Sequence, residues 1–106
     1  KALLARPEFP IAQSSKALIE YQLGDLDTAE SDLRLIIRRH PMFADARAAL
    51  SALLFIKGSK GEAQSHWAAV AGLEPHYKDR KWIENIRRWP PAAVNDLMNF
   101  LALDNL

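Results

Sequence analysis

Three histidines, a pair of adjacent serines and a lysine–glycine loop are the residues of this chain best suited to chemistry. His40, His66 and His76 lack any paired ligand spacing, so each reads as a surface or helix-end residue rather than part of a metal site. The loop KGSKGE, residues 57–62, looks friendly to phosphate but lacks the GxxxxGK[ST] spacing of a P-loop. Ser14 and Ser15 have no histidine or acid arranged to activate a hydroxyl. Asp45, Asp79 and the glutamates read as helix caps and solvated charges. The expectation is therefore a protein without catalytic residues, metal ligands or a cofactor.

Charge offers a second kind of chemistry. RLIIRRH supplies Arg34, Arg38 and Arg39, and the later stretch supplies Lys78, Arg80, Lys81, Arg87 and Arg88, interleaved with Trp82 and Trp89. Such a cluster could grip phosphates and stack on bases. The plainer account is that cations complement helix C-termini and lie over the tryptophan faces. Fourteen basic residues against thirteen acidic ones give no broad positive field. Nucleic acid is therefore disfavoured as a partner. Arg80, Lys81, Arg87 and Arg88 are expected to form a basic surface for an acidic protein or, as a peripheral contact, an anionic membrane.

The elements that must carry these residues follow from a repeat. PEF, PMF and PHY place Pro7, Pro41 and Pro75 at intervals of 34 residues, and Phe9, Phe43 and Tyr77 likewise. The same interval separates Gly24 from Gly58, Ala29 from Ala63, Leu33 from Trp67, and Ile36 from Val70, with Ala2 in register before them. With 106 residues the chain holds about three such units rather than two independent domains. The units read as residues 1–9 (the end of a preceding repeat), 10–43, 44–77, and a capping segment 78–106.

Each unit reads as two helices. The first pair runs from about Pro10 to Leu23 and from about Leu26 to Arg39, separated by Gly24 and Asp25. The next begins at Ala44 with Leu50, Leu53, Leu54 and Ile56 in or near an apolar face, and Ser59 with Glu62 forms a capping box for its partner. A helix through Trp82, Ile83 and Ile86 ends at RWPP, and a last one carries Val94, Leu97, Met98 and Leu101 on one stripe. No strand alternation appears. The longest apolar run, 48–56, is too short to span a bilayer. There is no cysteine, which excludes disulfides and thiolate metal sites. The chain opens in mid-pattern without methionine, so it is expected to be an excerpt from a longer protein.

These residues resemble the tetratricopeptide repeat family of 34-residue helix-turn-helix units. Leu50, Leu54, Gly58, Ala63, Trp67 and Pro75 match its pattern in the second unit; Gly24, Ala29, Leu33 and Pro41 match it in the first. Lys16 and Glu20 depart from it, standing at positions that are usually apolar. The resemblance implies an all-α fold, a short right-handed α-solenoid with capping helices, acting as a protein-binding scaffold. It places Ser14, Leu18, Tyr21, Ala48, Ala52 and Phe55 along the concave groove. Members that clamp acidic chaperone tails carry lysines and asparagines there, whereas this groove is small and apolar. It therefore suits an amphipathic helix or apolar peptide. The competing expectation is that the chain's own segment 92–103 fills it. The C-terminal stretch is loosely similar to caps in chloroplast and cyanobacterial members, some of which assemble photosynthetic complexes. That implies a chloroplast location, with the cytoplasm as the alternative, and sets a photosynthetic assembly factor and an RNA-binding helical repeat as the alternatives to the scaffold.

Overall fold

The computed structural model describes residues 9–104, and the sequence repeat around Pro7 and Ala2 lies outside them. The described residues are helical, with no strand. They form α1 (Pro10–Gln22), α2 (Leu26–Arg39), α3 (Ala44–Ile56) and α4 (Lys60–Leu73). A 3₁₀ turn at Pro75–Lys78 follows, then the single turn α5 (Arg80–Trp82), which runs into a π-helical turn at Ile83–Arg87. The last element is α6 (Pro91–Asp104). No described helix is long and apolar enough to cross a membrane.

The two glycines set the hairpins. Gly24 and Gly58 adopt φ of 88° and 91°, a region that costs a side-chain-bearing residue about 1–2 kcal/mol. Each closes the preceding helix with a reciprocal pair of bonds. The N–H groups of Gly24 and Asp25 donate to the carbonyls of Tyr21 and Glu20. Those of Gly58 and Ser59 donate to Phe55 and Leu54. Ser59 does occupy the N-cap of α4, but its side chain makes no cap bond. The expected capping box fails because Glu62 turns away to Arg34 of α2, accepting two bonds of 2.7 and 3.0 Å.

The core follows the helical period. Ala29, Leu33, Ile36 and Ile37 of α2 face inward, as do Ala63, Trp67 and Val70 of α4. In α3 nearly every residue through Leu54 is buried, because α1, α2, α4 and α6 all pack around it. Ile56 departs from that face and is 41% exposed. The polar departures in α1 have a local explanation: the Lys16 ammonium donates to Glu20 at 2.8 Å and to Asp32 of α2 at 3.1 Å, tying the two helices together. Burial pushes the Glu20 carboxyl above its usual range.

α6 buries Ala93, Val94, Leu97, Phe100 and Leu101, a stripe at helical spacing that closes over α1 and α3. Its first turn is capped from outside the helix: the Ala92 N–H donates to the Gln22 side-chain carbonyl at 2.9 Å. Pro91 at the first helical position gives up no hydrogen bond. The helix expected through Trp82, Ile83 and Ile86 is instead a 3₁₀ turn, one α turn and a π turn. It buries Ile83 and leaves Ile86 61% exposed.

Candidate protein-docking surface

The groove expected to receive a partner is already occupied. Ser14 and Ala48 are 0% exposed, Leu18 4%, Tyr21 2% and Ala52 0%, and Phe55 is half-buried with its ring 5.3 Å from that of Phe100. The Tyr21 hydroxyl donates to Asp96 of α6 at 2.7 Å. Five of the six residues are therefore buried within the chain, and two of the six meet α6 directly, Tyr21 through Asp96 and Phe55 through Phe100. The physical reason is that two apolar surfaces of one chain meet without the loss of free translation that a separate partner would suffer.

The basic surface is also reorganised. Arg87 points inward and donates from Nε to Asp45 at 3.1 Å, while Arg80 donates to Glu84 and Asn95. Lys81 and Arg88 remain exposed. The four cations are therefore not equally free, since one is half-buried against a carboxylate and another is shared with neighbours on its own segment and α6.

What receives Arg87 is a residue whose role the sequence hid. Asp45 lies in the first turn of α3, where an acid is ordinary. It is only 3% exposed, not solvated. Its Oδ2 accepts from the Ser14 hydroxyl at 2.6 Å. Its Oδ1 accepts from the Tyr77 hydroxyl at 2.6 Å, the Trp89 indole at 2.9 Å and Arg87. One carboxylate thus joins α1, α3, the 3₁₀ turn, the π turn and the corner before α6. Burial, and then the neighbouring Asp45, hold the Tyr77 phenol above its usual range, so it stays a donor. Four protein donors thus converge on this one carboxylate, three on Oδ1 and one on Oδ2. Among the described residues no group of three or more histidines or acids could hold a metal ion.

Two clefts flank this hub and share Asp45 and Arg87 as a wall. The larger, of about 500 Å³, is lined mainly by Ile11, Met42, Phe43, Leu73, Trp82 and Ile86. Met42 is 74% exposed, Ile86 61% and Ile11 42%, an apolar surface left open on a small protein. The aromatic floor is fixed by an edge-on contact of Tyr77 with Trp82 at 4.9 Å and by Trp89 at 5.8 Å from Tyr77. The smaller cleft, of about 250 Å³, lies between α1 and Pro90.

Elsewhere, α2, α3 and α4 are stitched by charges. Lys57 bridges Asp27 and Glu30, Arg34 bridges Glu30 and Glu62, and Arg47 donates to the Pro41 carbonyl and to Nδ1 of His66. His66 thus presents its N–H to Glu62 and is neutral in this geometry. Burial first, then the Arg47 guanidinium, hold it below the ordinary imidazole range. The unfolded chain therefore binds this proton at a higher pH than the folded one. Stability from this site is complete above about pH 6.5 and falls as pH drops through the unfolded value toward the folded one. Urea unfolding between pH 7.5 and 5 should show this acid-side loss, and His66→Gln should remove it; an unchanged profile in the variant would place the titration elsewhere.

No protein-family model, no curated protein and no solved structure matches this chain.

Proposed function

We propose that this chain is a non-catalytic protein-binding scaffold of tetratricopeptide-like helical hairpins, with its docking surface at the edge cleft beside Asp45 rather than in the groove between α1 and α3. The observation that carries this reading is the open apolar cleft itself. Ile11, Met42 and Ile86 stand exposed above a floor of Phe43, Leu73 and Trp82 whose aromatic packing is fixed. An apolar cleft of this kind accepts one face of an amphipathic helix or peptide, and methionine adapts to different occupants. The hairpin turns at Gly24 and Gly58, 34 residues apart, support the tetratricopeptide-like organisation and the solenoid that it implies.

The test uses two exposed positions, so folding is not in question. A photo-crosslinking residue at Met42 or Ile86 should capture one and the same protein from native extract. Met42→Glu with Ile86→Glu should lose that protein, by at least tenfold in affinity, because two carboxylates would be driven into an apolar contact. Undiminished capture by the double variant would remove the cleft from consideration. An RNA-binding role gains no support, because Arg34, Arg80 and Arg87 are all engaged within the chain.

A further inference from the structure

Three of the described residues take a left-handed backbone: Gly24, Gly58 and Arg88. The first two are the residue type that the geometry favours. The third is not. Arg88 sits at φ 58° and ψ 40°, where the N–H groups of Arg88 and Trp89 both donate to the Ile83 carbonyl and end the π turn. Glycine usually closes a turn in this way, and a side chain here carries a conformational cost that glycine avoids. A cost of this kind persists where the side chain is used.

The surroundings of Arg88 say what that use is. The residue is exposed and, among the described residues, its guanidinium has no hydrogen-bond or ion-pair partner. Its neighbour Arg87 is spent on Asp45, and the Asp45 carboxylate is in turn spent on four donors. Arg88 is therefore the one unneutralised charge on the wall of the smaller cleft, whose other surfaces are Leu18, Ile19, Ser15 and Pro90. Ile19 is 60% exposed at its mouth, and the Ser15 hydroxyl is occupied by the Ile11 carbonyl at 3.0 Å. An apolar wall with one free guanidinium at its rim matches a branched apolar side chain followed by a carboxylate.

We propose that this cleft receives an acidic side chain of a protein partner, next to a branched apolar residue, with the carboxylate held by Arg88 and the apolar group seated on Ile19 and Pro90. The inference rests on the scaffold reading and adds the charge that the partner must carry. A planar guanidinium reads a carboxylate through two parallel N–H bonds, which lysine cannot reproduce. An anionic membrane is the less suitable match, since a lipid surface rewards several free cations together and this wall has one.

The test is an amide-shift titration of the whole chain with the capped peptide acetyl-Ala-Leu-Glu-Ala-amide and its neutral counterpart acetyl-Ala-Leu-Gln-Ala-amide. The glutamate peptide should move the signals of Ser15, Ile19 and Arg88 and bind roughly tenfold more tightly than the glutamine peptide. Arg88→Gly and Arg88→Asn should abolish that preference without lowering the melting temperature, because both residues accept the left-handed backbone. Arg88→Lys should restore only part of it. Equal binding of the two peptides would overturn the proposal. So would a fall in melting temperature in Arg88→Gly, which would make the arginine structural. Arg88-dependent binding to phosphatidylserine vesicles without peptide discrimination would overturn it in favour of lipid. Met42→Glu/Ile86→Glu lies in the neighbouring cleft and reads the scaffold proposal separately, so either can fail alone.

Discussion

Replacing Asp45 by alanine lowers the stability of the fold by about 3–5 kcal/mol, the range expected when one member of a buried, charge-assisted network is removed. The magnitude follows from what is stranded. Tyr77 and Trp89 are 3% and 5% exposed, so their hydroxyl and indole N–H would lose the acceptor they share. Each such orphan costs about 1–3 kcal/mol. Arg87 is half-buried and can swing outward, and Ser14 can bond back to its own helix as Ser15 does, so these two add less. For a domain of this size the loss corresponds to a fall in melting temperature on the order of 20 °C. Asp45→Asn should cost about 1–2 kcal/mol, because its carbonyl keeps the three donors on Oδ1 and its amide can donate to the Ser14 hydroxyl. Chemical denaturation of both variants checks the pair. A loss under about 1 kcal/mol in Asp45→Ala would mean that the corner before α6 is held without the carboxylate.

The second large effect is expected at Phe100. It is fully buried and meets Phe55 at 5.3 Å, so Phe100→Ala opens a cavity between α6 and α3. The cost is about 3–5 kcal/mol, the range for a buried aromatic ring reduced to a methyl group. More informative is the form of the transition. Because α6 packs on α1 and α3, over Tyr21 and Phe55, its detachment would leave apolar side chains in water, and the hairpins should not survive it separately. Far-ultraviolet circular dichroism and tryptophan fluorescence should therefore fall together in both parent and variant. Separate midpoints would show α6 to be a detachable lid.

Local features of the sequence carried most of the element boundaries. Pro10, Gly24 and Gly58 mark starts and stops through their own backbone preferences, and the second helix was read over the residues it occupies, Leu26–Arg39. The stripe Val94, Leu97 and Leu101 was equally plain, since helical spacing is local. The role of Asp45 was not plain. Its donors stand 31, 32, 42 and 44 residues away, and an acid in a first helical turn already has an adequate local reason to be there. The occupied groove was hidden for the same reason. Small and apolar residues on α1 and α3 are compatible with a partner or with α6, and the choice is made by pairs such as Tyr21 with Asp96, 75 residues apart. The π turn at Ile83–Arg87 also had no signature, because its apolar residues satisfy an α-helical pattern until Ile86 is found facing outward.

The chain contains two methionines, and they stand on the two surfaces that matter. Met42 is 74% exposed in the edge cleft, and Met98 is half-buried on α6 against the core. The most direct measurement is a methyl spectrum of the chain labelled at methionine, recorded before and after addition of the protein captured through Met42. Docking in the edge cleft predicts that the Met42 methyl signal shifts while that of Met98 stays in place. A Met98 signal that moves to the position of a solvent-exposed methionine, with Met42 unchanged, would contradict it, because the partner would then have displaced α6 and taken the groove.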